Sequence, residues 1–170
     1  MELPKTLSIN GAEYSIVKLL GKGKGGYSYL AEREGKHFTL KQIHHEPCDY
    51  YTFGDKLQSE LRDYNTLRSL GIKLPELYEV DVMNERILKE YIDGDTVAQI
   101  VERDGRAPED AFVQVKEMCS LLHASGLNID YYPTNFIMSD SKLYYIDYEC
   151  NCYSDEWNFE NWGIKYWSKL

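Results

Sequence analysis

Asn128-Ile129-Asp130-Tyr131-Tyr132-Pro133-Thr134-Asn135, continued by the run FIMSDSKLYYIDYE to Glu149, is the stretch on which the reading of this chain turns. Its apolar pieces, Phe136 to Met138 and Leu143 to Ile146, read as two short strands around a Ser139-Asp140 turn. They separate an acid and an amide, Asp130 and Asn135, from a second acid, Asp147, that follows the second strand. Two carboxylates and an amide, each beside a strand or a tight loop, are able to surround a divalent ion and a phosphate tail. Mg²⁺ prefers hard oxygen ligands and takes few protein groups, which suits Asn135 and Asp147. Asp130 is then left to orient a hydroxyl and accept its proton. Taken alone, the same residues also suit ordinary turns.

Upstream of this stretch the chain reads first as strands. Thr6 to Ile9 and Glu13 to Leu20 flank Asn10-Gly11, a hairpin pair, and Tyr27 to Arg33 and Lys36 to His44 flank Glu34-Gly35. Between these hairpins lies Gly21-Lys22-Gly23-Lys24-Gly25-Gly26. A dinucleotide fingerprint needs a strand before its glycines and a helix after them, so that reading fails on context. A glycine loop between two strands either folds over phosphates with its backbone N–H groups or is a plain hairpin. A helix is expected from Asp55 to Leu70, with Gly71 as its stop. Strands Leu77 to Met83 and Arg86 to Ile92 follow, turning at Asn84-Glu85, and then a connector from Gly94 and a short helix from Thr96 to Glu102.

Pro108 opens a longer helix whose inner face is Ala111, Phe112, Val115, Cys119 and Leu122, ended by Gly126. A last helical piece is expected near Asp155 to Trp167. The order is a five-stranded sheet with one helix, a connector, and a mainly helical part, an α+β chain of two unequal parts.

Two charged residues stand against this pattern. Lys41 sits in the apolar strand that holds Phe38, Leu40 and Ile43, and Glu60 falls on the helical stripe of Leu57, Leu61, Tyr64 and Leu67. A carboxylate on a buried stripe needs a cation or hydrogen-bond donors. Lys41 is a candidate partner; the other reading leaves Glu60 on the rim of the stripe, in water.

The balance of charge narrows the function. The 170 residues carry 19 Lys plus Arg against 28 Asp plus Glu, a formal charge of −9, which argues against a nucleic-acid binder. No apolar run reaches membrane-spanning length, and MELPKTLSIN has no signal-peptide core. Cys48, Cys119, Cys150 and Cys152 form no CxxC pair, so reduced thiols and a cytoplasmic setting are expected. His44-His45 with Cys48 reads as a strand-end loop before a metal site. Cys150-Asn151-Cys152 reads as ordinary thiols before a redox pair. The aromatic-rich close, DEWNFENWGIKYW, reads as a cap on the second part, with a protein-partner surface as the other reading.

In order, these features resemble the protein-kinase-like superfamily, from about Gly21 to about Glu149. The matching pieces are GKGKGG, TLK ending at Lys41, SEL with Glu60, NIDYYPTN with Asp130 and Asn135, and IDYE with Asp147. The residues ELRDYNTLRSLGIKLPELYEVD and the short length look most like small atypical kinases, the RIO kinases and the small kinase of the tRNA threonylcarbamoyladenosine complex. The resemblance implies a bilobal fold in one domain, 1–92 as the first lobe and 93–170 as a reduced second. It also implies ATP and Mg²⁺ as cofactors. Residues 21 to 26 would cover the phosphates, Lys41 would hold them against Glu60, and backbone groups of Glu90 and Ile92 in LKEYIDG would meet adenine. Asp130 would be the catalytic acid and Asn135 and Asp147 the metal ligands.

The sequence also departs from that family. Asn128 stands where a histidine usually braces the loop, Glu149 where a flexible glycine follows the metal-binding acid, and Ser28 and Thr39 where valine and alanine line adenine. Lys89 stands at the position that, by the resemblance, lies at the back of the adenine pocket, and only 23 residues follow Asp147, fewer than peptide-docking helices need. The expected activity is phosphate transfer from ATP to a hydroxyl of a protein or a small molecule. A nucleotide-binding regulatory module is the competing class.

Overall fold

The computed structural model describes residues 2–46 and 55–169, so Cys48 lies outside the described residues. The chain forms two compact units, one of Met1–Ser59 with Pro75–Tyr91 and one of Glu60–Leu74 with Ile92–Leu170.

The first unit is an antiparallel sheet. Its strands are β1 (Thr6–Ile9), β2 (Ala12–Lys22), β3 (Gly26–Arg33), β4 (Lys36–Ile43), β5 (Leu77–Asp81) and β6 (Arg86–Glu90), in the order β1-β2-β3-β4-β6-β5. Asn10-Gly11 and Glu34-Gly35 have positive φ at both residues, the mirror-image turns that match strand twist. Six strands are present, one more than the five expected. Thr6–Ile9 pairs along its whole length with β2, from Thr6 opposite Ser15 to Ile9 opposite Ala12. One sheet face packs Ile9, Tyr14, Ala31, Leu40 and Leu88 into a small apolar core.

A buried carboxylate ties the two outer hairpins together. Asp81, 3% exposed, accepts the Asn10 backbone N–H at 2.9 Å and both the backbone and side-chain N–H groups of Asn84, at 3.1 and 3.0 Å. Those bonds, from Asn84 first and Asn10 next, hold its pKa below the usual aspartate value.

The helix α1 (Lys56–Ser69) begins in the first unit and continues in the second. The second unit adds α2 (Val97–Asp104) and α3 (Glu109–Ala124). Short strands β7 (Asp95–Thr96), β9 (Phe136–Ser139) and β10 (Lys142–Tyr145) form one sheet, and β8 (Leu127–Asn128) pairs with β11 (Asn151–Cys152). Thr96 and Gln99 form a reciprocal capping box that starts α2, so Thr96 precedes the helix it was expected to open. Val97, Ala111, Val115, Leu122, Phe136 and Leu143 are fully buried in the core of this unit. On α3 the buried face includes Met118, while Cys119 is only half-buried. The β9–β10 turn is Asp140-Ser141, one residue later than expected, both with positive φ.

The segment expected to be helical near Asp155 to Trp167 is instead a succession of turns, with a single 3-10 turn at Gly163–Tyr166. Asn158 explains the difference. Its side-chain oxygen takes the Asn161 N–H at 2.7 Å, and its carbonyl accepts from both Trp162 and Gly163. A side chain that bonds nearby backbone offers the chain an alternative to helix.

Asp81→Ala is expected to destabilise the fold by about 2 kcal/mol at pH 7, because it leaves buried donors unpaired. The folded pKa of Asp81 lies below its unfolded value, so this stabilisation is complete above about pH 4 and fades as pH falls through the folded value. Urea unfolding of both proteins at pH 7 and pH 3 checks it; a gap of the same size at both values would sink the carboxylate explanation.

Candidate functional site

In the first unit the glycine-rich segment is mostly strand. Gly21 and Lys22 end β2, Gly26 begins β3, and Gly23-Lys24-Gly25 makes the turn. The turn is closed by the Gly23 N–H donating to the Gly26 carbonyl at 2.9 Å and the His44 N–H donating to the Gly25 carbonyl at 3.2 Å. Lys56, 5% exposed, adds its ammonium to the carbonyls of Lys24 and His44. Lys22 points to solvent, 3.3 Å from Glu46, which with Tyr27 raises its pKa.

Lys41 lies on β4 opposite Ser28 on one side and Ile87 on the other. Strand alternation puts Leu40 in the apolar core and Lys41 on the other face, beside Gly26. A β-carbon on Gly26 would lie 2.8 Å from Cε of Lys41 and 2.7 Å from the Gln42 carbonyl, so the stem of Lys41 needs glycine there. Lys89 pairs with Thr39, two positions along, on that same face, and is 5% exposed. Two lysines thus share one face of the sheet. The Glu90 N–H is committed to the Glu76 carbonyl at 2.8 Å, and Ile92, 6% exposed, begins the second unit.

The second unit holds the other candidates. Asp130 is exposed, and its Oδ1 accepts the Tyr132 N–H at 3.1 Å. A 3-10 turn at Pro133–Asn135 brings the Asn135 side-chain N–H to the Asp130 carbonyl at 3.3 Å. The Asn135 carbonyl then accepts the Ile146 N–H at 2.9 Å, fixing the residue next to Asp147. Two hydrogen bonds therefore bring together Asp130, Asn135 and Asp147. The Asn135 amide N–H is used on the Asp130 carbonyl, and its side-chain oxygen is an acceptor. That oxygen and the Asp147 carboxylate are hard donors and fit Mg²⁺, which takes one or two protein groups and keeps water. Among the described residues no group of three or more His, Cys, Asp or Glu is arranged to hold a metal.

Tyr145 and Tyr148, which sequence patterns did not single out, shape this loop together with Asn128, which they did. Tyr145, fully buried, donates its hydroxyl to the Glu149 carbonyl at 2.8 Å and meets the Asp130 backbone; burial first, and then the Asp147 charge, raise its pKa well above normal. Tyr148, 1% exposed, packs its ring 4.5 Å from Tyr64 on α1. Asn128, 5% exposed, gives its side-chain N–H to the Trp157 carbonyl at 2.9 Å. No spacing rule marks Tyr145 or Tyr148, because each depends on a carbonyl or ring brought in by tertiary structure.

Glu60 and Asp63 are both half-buried on α1. Asp63 accepts the Cys150 N–H at 3.4 Å, and burial above all raises its pKa, with the Asp147 charge adding to the effect. Burial and then Asp63 push the Cys150 thiol up to about 12, so it stays protonated near neutral pH. Cys119, Cys150 and Cys152 are free thiols. No described helix is long and apolar enough to cross a membrane.

No protein-family model matches the chain. Curated relatives match at low identity over most of it. The KEOPS complex subunit Bud32 of Pyrococcus abyssi is 26% identical over 148 residues, covering 78% of this chain and 66% of that protein. A probable bifunctional tRNA threonylcarbamoyladenosine biosynthesis protein of Methanobrevibacter smithii is 27% identical over 155 residues, covering 91% of this chain and 27% of that protein. The serine/threonine-protein kinase PknA of a Nostoc species is 26% identical over 151 residues, covering 79% and 27%. The chain thus spans between 27% and 66% of the length of these relatives. Similarity to Bud32-type subunits and to protein kinases alike, across three-quarters or more of the chain, supports the resemblance to an atypical protein-kinase-like family.

Proposed function

We propose that the chain is an ATP- and Mg²⁺-dependent phosphotransferase acting on a hydroxyl. The observation that supports this most is the stitching of Asp130 to Asn135 and of Asn135 to Ile146, which sets a proton acceptor and two hard oxygen donors on one framework. In this reading the acceptor oxygen attacks the γ-phosphorus, the bond from that phosphorus to the bridging oxygen breaks, ADP leaves with the electron pair, and Asp130 takes the hydroxyl proton. Asn135 and Asp147 would hold Mg²⁺, which supplies charge neutralisation to the phosphates. Lys41 would bind the phosphate tail under the glycine-rich turn, with Glu60 orienting it, and backbone at Glu90 and Ile92 would meet adenine. The proposal treats 1–170 as one functional domain. The acceptor is a protein Ser or Thr or a small molecule, in a cytoplasmic setting.

A second reading, a nucleotide-binding regulatory module, draws on Lys89. A buried lysine on the face that carries Lys41 introduces a second cation where adenine would be expected. The relatives' names suggest that such a module would work as a subunit of an assembly.

Asp130→Asn is expected to leave Mg·ATP affinity within a few-fold and to lower turnover by roughly 10²-fold or more, the range of a general base. Asp147→Asn is expected to abolish Mg²⁺-dependent nucleotide binding. Titration calorimetry with the non-hydrolysable ATP analogue and a radiolabel transfer assay measure the two effects. Wild type that binds Mg·ATP yet transfers phosphate neither to any acceptor nor to water would replace the enzyme by the regulatory module.

Gly26→Ala provides a separate check on Lys41. The added methyl group displaces the lysine stem, so both Gly26→Ala and Lys41→Met should weaken nucleotide binding by about ten-fold or more, the worth of one charge-assisted contact. Unchanged affinity in both variants, with melting temperature preserved, would remove Lys41 from the nucleotide site.

A further inference from the structure

Lys56, the first residue of α1, is a buried charge to which the proposed chemistry gives no role. An ammonium taken out of water costs several kcal/mol unless its N–H groups find acceptors. Here it lies 3.3 Å from the Lys24 carbonyl and closer still to the His44 carbonyl. It therefore joins the turn between β2 and β3 to the residue that follows β4.

Two more carbonyls of the same turn are held from the same side of the chain, by His44. Its ring Nε2 lies 2.8 Å from the Gly23 carbonyl, and its backbone N–H donates to the Gly25 carbonyl at 3.2 Å. A ring nitrogen that faces a carbonyl must carry the proton, so Nε2 is the donor. Nδ1 then accepts the Glu46 N–H at 3.3 Å, which fixes the other edge of the ring. Tyr27 packs against it with ring centres 5.1 Å apart, and the His44 side chain is left 10% exposed. Three successive carbonyls, those of Gly23, Lys24 and Gly25, are thus each taken by Lys56 or His44.

That pattern sets where the N–H groups of the turn point. In a planar trans peptide the carbonyl and the following N–H lie on opposite sides. Capture of the Lys24 carbonyl by the Lys56 ammonium therefore turns the Gly25 N–H away from Lys56. Among the described residues the Gly25 N–H has no partner. The space beside it is open, since a β-carbon at Gly23 or Gly25 would meet nothing within 4 Å. Lys41 brings a positive charge to one end of the turn, its stem packed against Gly26. Backbone N–H groups of a turn, beside a cation, make an anion-binding concavity.

We propose that Lys56 and His44 are positioning residues, which hold the Gly23-Lys24-Gly25 peptides in the orientation that presents the Gly25 N–H to a linear polyphosphate. Neither side chain touches the ligand; each acts through a carbonyl that it captures. The turn is set for an oxyanion before one arrives, so binding loses little backbone entropy. That the polyphosphate is the tail of a nucleotide rests on the phosphotransferase reading; the anion site does not.

The test titrates sodium tripolyphosphate into the intact chain, beside Lys56→Met and His44→Phe, while backbone amide shifts and the dissociation constant are measured. In wild type the Gly25 amide proton should move downfield as the anion binds. Lys56→Met should weaken binding about ten-fold or more, the worth of a hydrogen bond to a charged group. His44→Phe removes a neutral donor and should weaken it about three-fold. Both variants should show a smaller Gly25 shift at saturation. An unmoved Gly25 amide in wild type, or no binding of tripolyphosphate, overturns the proposal even if a variant fails to fold. Unchanged binding in both variants overturns it as well. So does a loss confined to Lys56→Met, because attraction between charges would then explain the effect without peptide orientation. Mg·ATP separates this proposal from the reading beneath it. Phosphate transfer from ATP, with ATP affinity depending on both residues, supports the two together. Tripolyphosphate binding that depends on both residues, without transfer from ATP to any hydroxyl or to water, overturns the phosphotransferase reading and leaves the anion site. Transfer by a wild type whose Gly25 amide stays unmoved overturns the role of Lys56 and His44 alone.

Discussion

The indole N–H of Trp167, donating to the Tyr131 carbonyl inside the second unit, is the contact on which the candidate catalytic loop depends. A carbonyl buried beside bulky rings has no water to turn to, and leaving it unpaired costs about 1–3 kcal/mol. Its partner must come from a residue far along the chain. That requirement draws the last turns of the sequence against residues 128–135 and fixes the peptide between Asp130 and Tyr132. The neighbouring bonds continue the same logic. Asn128 takes the Trp157 carbonyl, Asn135 bonds the Asp130 carbonyl, and the Asn135 carbonyl takes Ile146.

The first unit solves a different problem. There the constraint is steric: Lys41 can lie across β3 only because position 26 has no side chain. The turn above it is held from outside, by the Lys56 ammonium reaching two carbonyls and by His44 meeting Gly23 and Gly25. A glycine-rich turn on its own has a large entropy to lose. Three anchors on one short turn reduce that loss before any ligand arrives.

Much of this was legible in the sequence because it rests on local rules. Asn10-Gly11 and Glu34-Gly35 mark mirror-image turns, and Ala111, Phe112, Val115 and Leu122 mark one face of α3. The order of Lys41, Glu60, Asp130, Asn135 and Asp147 carried the resemblance that the relatives support. What was missed depends on partners distant in sequence. Thr6–Ile9 reads as a strand although the expected total is five, but nothing local shows that its turn is secured by Asp81, seventy-one residues from Asn10. Tyr145 and Lys56 look like packing and surface residues until the carbonyls they meet are in place. The aromatic spacing of DEWNFENWGIKYW suits a helix, but Asn158 bonding its own neighbours wins locally, and Gly163 pressed on Tyr131 wins in three dimensions.

Asn128, which stands where the resembled family has a histidine, still holds the loop through a hydrogen bond. A histidine there would brace the loop with a ring nitrogen. The shorter amide reaches a carbonyl instead, that of Trp157, and this is available because the closing segment turns back over β8 through β11. The closing segment then serves two ends at once: its inward groups, the Trp157 carbonyl and the Trp167 indole, hold the loop, while its outward rings stay at the surface beside Asp130. A helix over the same residues would have satisfied its own carbonyls internally and left Asn128 and Tyr131 without partners. The irregular backbone of this segment is therefore a requirement of the loop that it supports.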